Sequence, residues 1–359
     1  MTQPNPLSLT PASLSDLYDH PNGSVIDVRS PAEFAEDHLP GAINLPVLSD
    51  AQRAQVGTIY KQDCPFAARK IGAAQVFSNT AEHIKGPLAC KPGGWKPLVY
   101  CWRGGQRSGS FAWLLAQIGW QTTLLTGGYK TYRRLIIHKL YESALPFRLV
   151  LLDGYTGTAK TDLLPLLAAQ NVQVLDLEAL AHHRGSLLGG FMQGQPSQKA
   201  FETALALALH QLDPSRPVLV EAESSKIGQI NLPPSLWAIM KSAPRIEISA
   251  PLEARATYLE QAYSDILADS PALRDRLSPL RYHRGHALVD HWESLIETGQ
   301  KHALCMSLAK DHYDPAYNSS MHAISPRYIA RLTTSELTST ALARLAERIS
   351  QIMQLWAVR

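Results

Sequence analysis

The sequence predicts an α/β protein built as two parallel-sheet domains in series, the second closed by a helical part. Three observations carry this. Short β-type runs at 25–29, 97–100 and 122–125 alternate with helical stretches, and such alternation calls for a parallel sheet with helices on both faces. A second strand–loop–helix series starts at Arg148, just after Leu145-Pro146, where proline disfavours helix in the residue before it. From Pro251 onward the spacing of Leu252, Leu259 and Ile266 among polar residues is helical. The reading divides the chain into 1–143, 146–250 and 251–359. A length of 359 residues exceeds one average core.

Composition narrows the class. An apolar content of 45% and a charged content of 18% describe an ordinary globular protein. A formal charge of +3 is too small to imply nucleic acid, so a local patch has to make that case. Residues 1–6 offer neither a basic nor an apolar leader region, and no apolar run approaches membrane-spanning length. No membrane partner is expected. The cysteines, Cys64, Cys90, Cys101 and Cys305, include no C-x-x-C pair, so a reducing cytoplasm fits better than a disulfide or zinc framework. No resident metal is expected.

In chain order, 11–18 reads as a short helix and Pro21-Asn22-Gly23 as a turn before the run 25–29. Ser30-Pro31-Ala32-Glu33 is a capping box with proline at the first helical position. His38 to Pro46 is a turn entering another β-type run, and a long helical stretch follows to Ala89. Pro97-Leu98-Val99-Tyr100 then delivers Cys101 into the loop Trp102-Arg103-Gly104-Gly105-Gln106-Arg107, ahead of an apolar helix around 111–118. A cysteine between a strand end and a helix N-terminus meets backbone N–H groups and the positive end of the helix dipole. Arg103 and Arg107 push the same way, toward a thiolate. Cys101 is the candidate nucleophile, and residues 102–107 the candidate cradle for a negative sulfur or selenium. Thr126-Gly127-Gly128-Tyr129 closes the run 122–125.

Asp27-Val28-Arg29, Pro31-Ala32-Glu33-Phe34, His38 to Asn44, Cys101 with Arg107 six residues on, and Gly127-Gly128-Tyr129 together resemble a rhodanese domain over roughly residues 10–140. The resemblance implies that Cys101 carries the chalcogen. Asp27 and Arg29 read as a buried charge pair that shapes the fold, ahead of any catalytic part.

In the second half, Arg148 to Leu152 is a strand that runs into Asp153-Gly154-Tyr155-Thr156-Gly157-Thr158-Ala159-Lys160-Thr161. Set against G-x-x-x-x-G-K-[ST], this matches Gly154, Lys160 and Thr161 and puts Ala159 where the last glycine belongs. Backbone N–H groups from Gly154, Thr156, Gly157 and Thr158, with Lys160 and Thr161, are candidates to grip a diphosphate. The run 174–178 reads as a second strand and 218–224 as a third that ends in carboxylates. Glu221 is a candidate Mg²⁺ partner or an ordinary strand-end cap, and Arg184 and Lys226 are candidate phosphate partners or a solvated face. Arg274, Arg276, Arg281, His283, Arg284 and His286 form the densest basic run, which suits either a solvated face or an RNA backbone. Tyr313-Asp314-Pro315-Ala316-Tyr317 reads as a turn with two aromatics, fit to stack bases or to pack a domain end.

Asp176-Leu177-Glu178, His183-Arg184-Gly185-Ser186, Glu221-x-Glu223-Ser224 and Tyr313-Asp314-Pro315-x-Tyr317, following the Cys101 domain, are similar to the bacterial tRNA 2-selenouridine synthase family over nearly the whole chain. The departures are Ala159 and Ala222, and both bear on nucleotide hydrolysis. The resemblance implies a rhodanese-like parallel-sheet domain followed by a P-loop α/β domain with a helical C-terminal part. It further implies a cytoplasmic transferase that converts wobble 2-thiouridine in tRNA to 2-selenouridine through an S-geranyl intermediate. Geranyl diphosphate and selenophosphate are then substrates, the latter supplied by a selenophosphate-producing enzyme, and Mg²⁺ is a candidate companion of the diphosphate. Cys101 would carry selenium as an S-selanyl adduct, and Arg274, Arg276, Arg281 and Arg284 would meet the tRNA backbone. Two other readings stand beside it: a rhodanese-type sulfurtransferase with a regulatory P-loop domain, and a non-catalytic nucleotide- or RNA-binding module.

Overall fold

The structure, a computed structural model, describes residues 5–21, 23–186, 188–191, 193–324 and 326–357, the side chains of 320–324 excepted. Residues 1–4 and Asn22 of the turn lie outside these. Two compact units emerge: 1–143 with 197–210, and 144–196 with 211–359.

The first unit is a five-stranded parallel sheet. Its strands are β1 (Leu7–Leu9), β2 (Ser24–Asp27), β3 (Ala42–Asn44), β4 (Pro97–Tyr100) and β5 (Thr123–Leu125), ordered β1-β5-β4-β2-β3. The central strand β4 is buried at every position, as a strand covered on both faces must be. The helix Gln106–Ile118 turns Phe111, Ala112 and Leu115 onto the sheet, where they join Ile26, Val99 and Cys101 in one apolar cluster. The capping box forms, with the Ser30 N–H donating to Glu33 Oε2 at 3.0 Å. The helix read over 11–18 is confined to Ser15–Tyr18, and β1 was not legible because three residues carry too little pattern.

Asp27 and Arg29 form an ion pair of 2.6 Å with both side chains fully buried. Arg29 Nη2 also donates to the Asp37 carbonyl at 2.6 Å, and its guanidinium lies 3.9 Å from the Tyr129 ring centroid. Breaking such a pair by removing one partner costs about 3–5 kcal/mol.

The helix Gln198–Gln211 packs largely with this first unit, although the segments on either side of it belong to the second. Buried Glu202 explains the attachment. It pairs with Arg133, whose second nitrogen lies 3.5 Å from Asp37, and it accepts a 2.6 Å bond from the Tyr141 hydroxyl. Lys199 and Glu36 add an ion pair of 2.6 Å at the helix start.

The second unit is also a five-stranded parallel sheet. It contains β6 (Leu149–Asp153), β7 (Gln173–Leu175), β8 (Val218–Glu221), β11 (Arg245–Ser249) and β12 (Tyr328–Thr333), ordered β12-β11-β6-β8-β7. A short antiparallel pair, β9 (Lys226–Ile227) and β10 (Ile230–Asn231), stands apart. The helices Lys160–Ala169 and Ser339–Ala357 pack on the sheet, and the segments from Ala256 to Ala309 close a separate helical core around Trp292. Among the described residues no helix is long and apolar enough to cross a membrane.

Three readings are corrected here. The run 174–178 is strand only to Leu175, because Asp176 accepts from the Ala179 N–H at 2.7 Å and starts the helix Leu177–Leu180. The strand read over 218–224 stops at Glu221. Residues 313–317 are helical, not a turn: a π-helical stretch Leu308–Tyr313 runs into the helix Asp314–Ile324, so Pro315 sits just after a stretch where the regular α-helical bonding is already interrupted.

Candidate functional site

Each sheet presents one candidate site at the carboxyl end of a central strand, the usual place in parallel sheets. In the first unit Cys101 follows β4. It is 3% exposed, so the sulfur lies beneath its loop. The hydroxyl of fully buried Ser108 donates to Cys101 Sγ at 3.2 Å, with the Gly105 carbonyl more distant at 3.4 Å. The Cys101 and Trp102 carbonyls accept from the Tyr129 and Lys130 N–H groups, which fastens the loop to the Gly127-Gly128 corner. Gly128 must be glycine: its φ is +57°, and a Cβ there would stand 2.2 Å from the Cys101 carbonyl oxygen.

The arginines of the loop divide. Arg107 is held by Glu33, at 2.8 Å from Nη1 and 3.4 Å from Nη2. Burial pushes the Glu33 carboxyl up, but the Arg107 bond and charge hold it below its ordinary value. Arg107 thus joins the Cys101 loop to the capping box. Trp102 packs on Tyr129, with centroids 5.3 Å apart, while Arg103 and Gly105 are exposed.

In the second unit β6 ends at Asp153, and the loop from Gly154 enters the helix Lys160–Ala169. Ala159 adopts φ +58° and ψ 32°, the left-handed conformation that the missing glycine would take freely. Its methyl is buried in the sheet–helix core. Thr158 Oγ1 donates to the Tyr155 carbonyl and Lys160 Nζ to the Gly154 carbonyl, both at 2.8 Å. At Gly157 a Cβ would meet Leu259 Cγ at 2.9 Å, so only glycine lets the helix Leu252–Ala262 come this close. Arg255 of that helix donates to the Thr156 carbonyl at 3.1 Å and pairs with Asp314 at 2.7 Å. Tyr317 donates to Asp153 at 3.0 Å and packs on Tyr155 with centroids 4.6 Å apart.

Acidic groups gather beside the loop. Thr161 Oγ1 lies 2.8 Å from both Glu178 Oε2 and Glu221 Oε1, and one hydroxyl proton cannot serve two carboxylates. Glu221 is 1% exposed, and its Oε2 has no hydrogen-bond partner. Burial, then the charges of Glu178 and Asp176, raise the Glu221 carboxyl well above its ordinary value. Burial and the Glu178 charge push Glu223, which hydrogen-bonds Glu178, up to about 8. Among the described residues no group of three or more His, Cys, Asp or Glu is arranged to hold a metal alone.

A cavity of about 770 Å³ opens over the loop. Gly154, Thr156, Gly157, Thr158, Lys160, Thr161 and Arg184 line it, whereas neither Glu221 nor Lys226 is part of its lining. Arg184 is paired with Asp265 at 3.0 Å and rests over Phe191 and Tyr263. The basic run stands elsewhere. Arg274 pairs with Glu297, Arg276 donates to the Leu188 carbonyl, Arg281 pairs with Asp290 and Glu293, and Arg284 donates to the His312 carbonyl. Sequence reasoning missed Ser108, Glu33, Arg255 and Leu259 as site neighbours; no local signal marks them. Glu178 and Glu223 stood in the motif that carried the resemblance, without an assigned part.

Comparison with known proteins gives two family matches. Residues 147–275 match the tRNA 2-selenouridine synthase AAA domain, and residues 10–135 the rhodanese-like domain. Among similar proteins, the tRNA 2-selenouridine synthase of Hahella chejuensis is 35% identical over 82% of this chain and 84% of its own length. That of Alcanivorax borkumensis is 35% identical over 82% and 88%, and that of Nitrosomonas europaea 37% identical over 71% and 68%.

Proposed function

This chain belongs to the tRNA 2-selenouridine synthase family, and from that premise we propose that it is a tRNA-modifying transferase that converts wobble 2-thiouridine to 2-selenouridine through S-geranyl-2-thiouridine. The observation that carries the reading is the pairing, in one chain, of a phosphate loop with a loop-buried cysteine at the end of a parallel strand. Geranyl diphosphate and selenophosphate are the substrates, and a selenophosphate-producing enzyme is the partner that supplies the second.

The first step joins the C2 thiocarbonyl sulfur to the geranyl C1 carbon, breaks the carbon–oxygen bond to diphosphate and releases the N3 proton of the base. The loop residues Gly154, Thr156, Gly157 and Thr158, with Lys160, bind the diphosphate and stabilise the charge that develops on it as it leaves. No nucleotide is hydrolysed, so alanine at 159 is compatible with the task. Thr161 and Glu221 would hold a Mg²⁺ against the diphosphate, which would supply charge neutralisation; the unpartnered Glu221 Oε2 and the hard oxygen set fit that ion. Arg184 lines the same cavity as a second cation for the diphosphate.

In the second step geranyl thiolate is the leaving group at C2: the selenium of selenophosphate, delivered at Cys101, forms the carbon–selenium bond, the carbon–sulfur bond breaks, and water takes the phosphoryl group from selenium as phosphate. Trp102 to Arg107 enclose the carrier. The basic run of Arg274, Arg276, Arg281 and Arg284 is assigned to the tRNA backbone, supported by the exposure of Arg274 (side chain 41%) and neighbouring Tyr282 (89%). Such a contact weakens steeply with salt.

Nucleoside mass spectrometry of 2-thiouridine-containing tRNA tests the reading. Geranyl diphosphate alone is expected to yield S-geranyl-2-thiouridine, and added selenophosphate 2-selenouridine. Thiosulfate turnover at Cys101 with no modified nucleoside would instead select the sulfurtransferase.

A further inference from the structure

We propose that the cavity over the phosphate loop seats the hydrocarbon tail of an allylic diphosphate along Tyr258, Leu259, Ala262 and Tyr263, with Phe191 beside it. This rests on the reading of the loop as a diphosphate cradle and names where the rest of that substrate lies.

The cavity is larger than its anion. At about 770 Å³ it has the size of pockets that take whole organic ligands, and a diphosphate fills a fraction of that. The surplus volume has a wall made by one helix. In Leu252–Ala262 the positions 255, 258, 259 and 262 share a face by helical spacing, and Tyr263 continues it at the C-cap. Arg255 touches the loop at Thr156, and Leu259 stands against Gly157. The wall therefore begins at the cradle and leads away from it, by about 6 Å of helix rise from Leu259 to Tyr263.

The stretch at Tyr258, Leu259 and Ala262 presents mostly carbon, within a cavity whose other sides carry polar groups and where Arg184 lies over the Phe191 and Tyr263 rings. Tyr258 donates its hydroxyl to Asp162 Oδ2 at 2.9 Å, and the Tyr263 hydroxyl is tied to Ser186 Oγ at 2.9 Å. With their polar ends engaged, these tyrosines offer ring surface to the cavity. Leu259 and Ala262 offer only carbon, and Phe191 lines the cavity while 39% exposed. A nucleobase needs donors and acceptors facing its edge; Gln261, Ser186 and His312 elsewhere in the lining carry such groups, which makes a nucleotide the competing ligand. An isoprenoid chain needs only apolar area, at about 0.8 kcal/mol for each buried CH₂.

Binding of inorganic pyrophosphate, dimethylallyl diphosphate, geranyl diphosphate and GDP to the full chain tests this. Affinity is expected to rise from pyrophosphate through the five-carbon to the ten-carbon ligand, by about 10- to 1,000-fold per step. Ala262→Trp fills the wall and is expected to weaken geranyl diphosphate about 100-fold while leaving pyrophosphate unchanged. Phe191→Ala, at an exposed position, is expected to weaken it about 3- to 10-fold, and pyrophosphate by less, since the ring also underlies Arg184. If the wild type prefers geranyl diphosphate but both variants change the two ligands equally, the tail lies elsewhere and the proposal is overturned while the diphosphate reading survives. If Ala262→Trp loses both ligands, the Phe191→Ala result decides alone. A wild type that ignores the tail and prefers GDP overturns both readings.

Discussion

The Ser108 hydroxyl donates to the Cys101 sulfur at 3.2 Å, with both residues closed off from solvent. A buried donor aimed at sulfur steadies the charge that gathers there as the sulfur reacts. Ser108→Ala is therefore expected to slow alkylation of Cys101 near neutral pH by about 2- to 10-fold, the value of one ordinary hydrogen bond. Ser108→Thr, which restores a hydroxyl, should recover part of the rate. Equal alkylation rates for all three proteins would assign Ser108 to packing.

Cys101→Ser separates the two chemical steps. It is expected to abolish 2-selenouridine while S-geranyl-2-thiouridine still accumulates, as read by nucleoside mass spectrometry. Persistence of 2-selenouridine would remove the carrier part from Cys101.

Lys160 reaches back to the Gly154 carbonyl at 2.8 Å and stands ready at the cradle. A charge-assisted bond is worth about 1.5–3 kcal/mol, so Lys160→Ala should weaken pyrophosphate binding about 10- to 100-fold. Calorimetric titration measures it. An unchanged affinity would mean that the loop does not hold diphosphate.

Ala159 sets two small terms against each other. Its left-handed φ costs roughly 1–2 kcal/mol relative to glycine, and its buried methyl returns about 0.8 kcal/mol. Ala159→Gly should leave the denaturation midpoint nearly unchanged or slightly raised. Ala159→Val should lower it clearly, since a β-branched side chain tolerates positive φ poorly.

Glu223 gives the second unit a pH signature. Its carboxyl, at about 8 when folded against an ordinary 4.5, keeps its proton in the folded chain over an interval where the unfolded chain has lost it. The native state binds more protons between those values, so stability falls as pH rises from about 4.5 to 8. Glu223→Gln should flatten that fall in thermal melts, and an equally steep profile would place the effect on other groups.

The parts of this fold that were legible in sequence are those fixed by near neighbours. The apolar run before Cys101, the capping box at Ser30, and the strand–loop–helix around Lys160 each follow from spacing within about a dozen residues. Asp27 and Arg29, two charges within the β-type run 25–29, were read as a buried pair that shapes the fold. What escaped is set by distant chain. β12 has a mixed pattern and becomes a strand by pairing with β11. Arg107 finds Glu33 across 74 positions. Leu259 becomes a wall of the phosphate site through the close approach at Gly157. The misread residues 176–178 and 313–317 show local ambiguity of the usual kind, where a capping aspartate or an early proline serves helix and turn alike.

The helix Gln198–Gln211 has a consequence for how the protein is made. A ribosome releases the chain from its N-terminus, at about 5–20 residues per second. Arg133 and Asp37 are therefore out long before Glu202, and the nascent first sheet waits several seconds with Arg133 lacking its Glu202 partner. During that wait the phosphate loop is also emerging. The first unit is begun first and cannot be finished first, so a fragment ending at residue 143 should be a poor mimic of it, whereas a chaperone that recognises half-built surfaces has a defined window in which to act.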